Sequence, residues 1–176
     1  MSTKYVAGLL TLIVLVAPPT VVAAQVRDIP NRSLAGEYVV TVQEPAQSTF
    51  IDVRNVDRAT SGTLTTHIYM VEATPADVNG KTSPFQAYQI TYDCVAGSMH
   101  LDNIDYVDGS FGLIATMTPP PDFKAWSIGE KPDLVVPRGF REVCHSGQSS
   151  GPRIGRGRPW TELAASMRSK LSATSH

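Results

Sequence analysis

The chain has no HExxH, no CxxC and no pair of histidines at helical spacing, and its four histidines, His67, His100, His145 and His176, stand far apart. A histidine- or thiolate-held metal is therefore not indicated. It has no GxSxG elbow, so the common serine-hydrolase arrangement is missing too. Asp102, Asp105 and Asp108 recur at every third position, but on a strand that spacing alternates faces, and no glycine-centred acidic loop ending in Glu follows. Gly151, Gly155 and Gly157 lie in a basic stretch, yet no strand is read before them, which a phosphate-cradling loop would require. Long apolar runs are also scarce. The one at residues 5–17 is shorter than the ~20 residues that a spanning helix needs, and Pro18 and Pro19 follow it at once. Cysteine is limited to Cys94 and Cys144.

The short apolar run reads as a secretory leader. Lys4 precedes it, and Val22-Ala23-Ala24 places small residues at the spacing a signal peptidase uses, which predicts removal of residues 1–24. Export sends the two cysteines into an oxidising compartment, where a lone pair far apart in sequence is most simply a disulfide. The remaining length suits one domain with a real core. A net charge of -1 conceals an asymmetry: residues 25–136 hold 7 Lys and Arg against 14 Asp and Glu, whereas residues 137–176 hold 7 against 2. An acidic body thus carries a basic tail, with intramolecular attraction or an anionic partner as its two readings.

Strand patterns dominate residues 37–117. A first strand over 38–42 is followed by a short one near 49–53 and a turn or helical turn over 55–60. In residues 63–72, Leu64, Ile68 and Met70 share one face, and Thr65, His67 and Tyr69 the other, which suits a strand with one wet side. Residues 74–84 read as a loop carrying Asn79-Gly80. In residues 86–95, Tyr88, Ile90, Tyr92 and Cys94 fall on the core face. A hairpin turning at Asp108-Gly109 joins strands near 97–107 and 111–117, and Trp126 packs on the sheet after a proline link. Residues 138–145 suit a short helix delivering Cys144. Residues 146–159 have a Gly, Ser, Pro and Arg linker composition, and in 160–171 Trp160, Leu163, Ala164, Met167 and Leu171 form the stripe of a final helix. That stripe wants its own sheet or a partner surface.

Tyr92-Asp93-Cys94, Asp105-Tyr106-Val107-Asp108-Gly109, Trp126, Val136-Pro137-Arg138-Gly139 and Cys144, with Phe50-Ile51-Asp52 and Val56-Asp57-Arg58 upstream, resemble the surface-adhesin protein E family of bacterial envelope proteins. The resemblance spans roughly residues 38–144. It departs at Tyr38, where the family pattern has Trp, and in the shorter Pro-Arg-Gly helix entry, and residues 146–176 have no counterpart in it. It implies an antiparallel sheet flanked by helix, a Cys94–Cys144 bridge and surface binding without catalysis.

The sequence therefore predicts an α+β domain over residues 25–145, with a five- or six-stranded antiparallel meander and one disulfide, followed over 146–176 by a basic linker and an amphipathic C-terminal helix. The function it suggests is non-catalytic binding in the periplasm or on the outer cell surface, with no cofactor, metal or nucleic acid and no membrane-spanning mature form. Partners would be a protein or an anionic polymer, met by Arg153, Arg156 and Arg158 and by exposed Thr65, His67 and Tyr69. A periplasmic assembly factor acting through the terminal helix is the alternative, and a small secreted enzyme the third.

Overall fold

A computed structural model describes Ile29 and residues 32–120, 126–127, 135–145 and 151–174. The leader lies outside them. Among the described residues, nine strands form one antiparallel sheet: β1 (Gly36–Gln43), β2 (Gln47–Asp52), β3 (Asp57–Arg58), β4 (Thr63–Val78), β5 (Lys81–Asp93), β6 (Ser98–Val107), β7 (Leu113–Met117), β8 (Trp126–Ser127) and β9 (Arg153–Arg158). Helix α1 (Val135–Cys144) precedes β9, and α2 (Trp160–Thr174) follows it. The spatial order is β7-β6-β5-β4-β2-β1-β9, with β3 on β4 and β8 on β6. The meander and the α+β class match the sequence pattern, but the sheet is wider than six strands.

Three additions make up the difference. The two-residue β3 and β8 are too short to leave a periodic signal, and β9 lies in what reads as a linker. Residues 153–158 are not a flexible spacer: β9 pairs antiparallel with β1, with Val39 opposite Arg153 and Tyr38 opposite Ile154. Positive φ at Gly155 and Gly157 lets the chain adopt a backbone course that a side chain would strain. The loop read at 74–84 is likewise mostly strand. Asn79 (φ 55°) and Gly80 (φ 73°) form a two-residue turn whose twist suits a hairpin, and Pro75 falls where the β4–β5 register shifts, a place that tolerates a missing donor.

Alternation along each strand sends apolar side chains to both faces, and a helix covers each. On one face Val39, Ile51, Leu64, Ile68, Ile90, Tyr92 and Met99 pack against Phe140 and Val143 of α1. On the other, Tyr38, Phe50, Tyr69, Val71, Phe85, Ala87 and Val107 pack against Trp160, Ala164 and Leu171 of α2. The stripe of α2 is thus occupied by its own sheet. Cys94, leaving β5, bonds Cys144 at the end of α1, with 5.4 Å between their Cα atoms, so the bridge fastens α1 to its face.

Candidate functional site

The register of β4, β5, β6 and β7 stacks polar residues in rungs on the α2 face. Thr65 lies opposite Thr91 and Thr91 opposite His100; His67 lies opposite Gln89 and Gln89 opposite Asn103; Tyr69, Ala87, Asp105 and Thr116 form the third rung. Between Gln89 and Ile90 the register shifts, because β6 carries one extra residue, Asp102, between Leu101 and Asn103. Such a bulge re-aims a side chain. Its carboxylate joins the same face: Thr91 Oγ1 donates to Asp102 Oδ2 at 2.7 Å, and His100 Nδ1 lies 2.9 Å from Asp102 Oδ1. Because Thr91 has one hydroxyl proton and gives it to the carboxylate, Thr65 Oγ1 donates in the 2.7 Å contact between the two threonines. Asn103 Nδ2 donates to Gln89 Oε1 at 2.7 Å, and Thr116 Oγ1 to Asp105 Oδ1 at 2.6 Å. The order hydroxyl, carboxylate, imidazole differs from a nucleophile relay, in which the imidazole stands between the other two.

This face is not the open surface that alternation in residues 63–72 suggests. Tyr69 is fully buried, because Trp160 stacks on it with centroids 4.5 Å apart and planes 11° apart. His67 is 9% exposed, and burial pushes its imidazole below its ordinary value of 6.5. Thr65 is half-buried within the threonine pair. The correction has one physical cause: α2 folds back over the polar-looking side of β4, which the sequence of β4 cannot reveal.

On the opposite face, a groove of about 190 Å³ lies between α1 and the β1–β9 margin, lined by Glu37, Val53, Arg54, Val56, Arg58, Glu142, Val143 and Arg153. Arg153 Nη1 donates to Glu37 Oε1 at 2.5 Å. That hydrogen bond first, and the charges of Arg153, Arg156 and Arg54 with it, hold the Glu37 carboxyl below its usual range. The structure therefore brings Arg153 to the Glu37 carboxylate, leaves Arg156 to act on it by charge alone, and adds Arg54 and Arg58 to the groove, which a search for basic clusters along the chain misses. Their separation of about a hundred positions hides them; only the pairing of β1 with β9 unites them. Arg158 sits at the far end of β9, where its carbonyl accepts from Tyr38 Oη at 3.2 Å. Among the described residues no cluster of His, Cys, Asp or Glu could hold a metal ion.

No family model, no curated protein and no solved structure matches this chain.

Proposed function

We propose that the protein is exported and serves as a non-catalytic, adhesin-like binding protein of the bacterial cell envelope or surface, taking an anionic polymer on its arginine-lined groove. The observation that carries this reading is the gathering of Arg54, Arg58 and Arg153 in one groove at the sheet margin, where they outnumber the two carboxylates, Glu37 and Glu142. Guanidinium groups present planar donor forks that suit carboxylate, sulfate and phosphate, and exposed cations raise the rate of encounter with polyanions. The leader-like residues 1–24 and the Cys94–Cys144 bridge support an oxidising compartment. A role as an assembly factor through α2 would require that helix to leave Tyr69 and Phe50, whose rings it covers.

Binding of the mature chain to immobilised dextran sulfate tests the reading. Affinity should fall about tenfold between ~50 and ~300 mM salt, and Arg54→Gln with Arg58→Gln, both lining the groove, should weaken it by a similar factor. Binding that ignores both salt and the double substitution would remove the groove from the proposal. Export is checked by the N-terminus of the protein recovered from cells, which should be Gln25, and by protease added to intact cells with a periplasmic marker as control.

A further inference from the structure

The three arginines of the groove are not equivalent. Among the described residues the ion pairs are His100–Asp102 and Arg153–Glu37, so the exposed Arg54 and Arg58 have no carboxylate at ion-pair distance while Arg153 has one. Topology sets that pair. Val39 of β1 lies opposite Arg153 of β9, and Glu37, two residues before Val39, falls on the same face. The β1–β9 register shifts between Gly36 and Tyr38, which leaves Glu37 at the break, and its carboxylate accepts from Arg153 Nη1 along the sheet margin. Neither side chain is sealed in, since 47% of Arg153 and 23% of Glu37 is exposed. An ion pair so open to water adds little to stability, because solvent and salt screen it and two long side chains must be held in one geometry.

We infer that Glu37 is an internal competitor for the anion-binding groove: its carboxylate occupies the Arg153 guanidinium, and a polyanion enters by exchange, meeting Arg54 and Arg58 first and then displacing Glu37 from Arg153. The inference rests on the reading of the groove given above and adds its regulation. Charge is nearly balanced in the exchange, because one anionic group replaces another on the same planar donor fork while Glu37, already in contact with water, returns to it. A ligand with a single anionic group has nothing further to gain. A polymer held by Arg54 and Arg58 keeps its next group at a high effective concentration beside Arg153, which drives the displacement.

The experiment measures dextran sulfate binding at ~100 mM salt for the mature chain, Glu37→Gln, Arg153→Gln and the double variant, each with an unchanged backbone amide spectrum as the check on folding. Glu37→Gln should tighten binding about twofold to fivefold, the range set by an exposed ion pair. Arg153→Gln should weaken binding, and in that background Glu37→Gln should recover less than half of its gain, since the competitor has lost the group it competes for. With side-chain carboxylates labelled, saturating dextran sulfate should move the Glu37 signal toward its position in Arg153→Gln. A gain from Glu37→Gln that is undiminished in Arg153→Gln, or a Glu37 signal that stays in place at saturation, would overturn the exchange and leave the groove as the binding site. Absence of binding by both the wild type and Glu37→Gln would overturn the groove itself and the exchange with it.

Discussion

On the α1 face, Phe140 and Val143 settle on an aliphatic floor of Ile51, Ile68 and Ile90 and a disulfide ties the helix down; on the α2 face, the helix is held by ring packing around Trp160, Tyr69 and Phe111 with no covalent link. On the first face the bridge adds to the packing by limiting how far the unfolded chain can wander. The second has no such link and packs a larger set of rings, Tyr38, Phe50, Tyr69, Phe85, Phe111 and Trp160, and its β6 end is polar. Polar groups follow the same division: arginines gather at the margin of the bridged face, and the Thr65, Thr91, Asp102 and His100 network lies on the aromatic one.

The contrast breaks most directly at Trp160. It is fully buried and touches both Tyr69 and Phe111, so Trp160→Ala should cost about 3–5 kcal/mol, read as a shift of the guanidinium midpoint. Removing the bridge with Cys94→Ala and Cys144→Ala, which frees a separation of 50 residues, should cost roughly 4 kcal/mol on the chain-entropy account. The sharper readout is hydrogen exchange. Amides of α1 should lose protection in the cysteine variant while those of α2 keep theirs; equal loss in both helices would mean that the faces act as one cooperative unit.

A smaller effect tests how closely α1 sits on its floor. A Cβ at Gly139 would lie 2.5 Å from Tyr92 Oη and 2.9 Å from Ile51 Cδ1, so Gly139→Ala should destabilise by about 1–3 kcal/mol. Gly109, whose Cβ would meet nothing within 4 Å, supplies the control, and Gly109→Ala should change stability by no more than about 0.5 kcal/mol. Comparable losses at the two positions would argue that backbone freedom, not the close approach of α1, sets the cost.

The sequence made legible what is local and periodic. Tyr88, Ile90 and Tyr92 do share a core face, the turn at Asp108-Gly109 does close β6 onto β7, and the helices ending near Cys144 and beginning at Trp160 are present. What it hid depends on distant pairing. Residues 153–158 look like a linker because Gly155, Gly157 and three arginines have low strand propensity, and β1 beside them supplies the ladder that propensity does not. Tyr69 looks half-wet because only the return of α2 shows what lies over it. Arg54 and Arg58 belong with Arg153 through topology alone, and the extra residue at Asp102 that joins Thr91 and His100 shows only as a register shift between β5 and β6.

The smallest effect belongs to His67, and its sign follows from burial. Burial is the largest influence on its imidazole and lowers its pKa, while the nearby carboxylates of Asp52, Asp105, Asp57 and Asp102 pull the other way. In the unfolded chain the group titrates near 6.5, so above that pH it is neutral in both states and contributes no slope. As pH falls below 6.5 the unfolded chain takes up a proton that the folded one resists. Stability should therefore drop on acidification, by at most about 1.4 kcal/mol per pH unit, until the depressed native pKa is reached. Urea midpoints measured at intervals from pH 7.5 down to 5 should show this slope in the wild type and a flatter one in His67→Gln. Because the carboxylates oppose burial, Asp105→Asn should lower the native pKa further and extend the slope to lower pH. If His67→Gln keeps the wild-type slope, the acid sensitivity of the α2 face arises from another group, and the neutral state assigned to His67 under α2 is wrong.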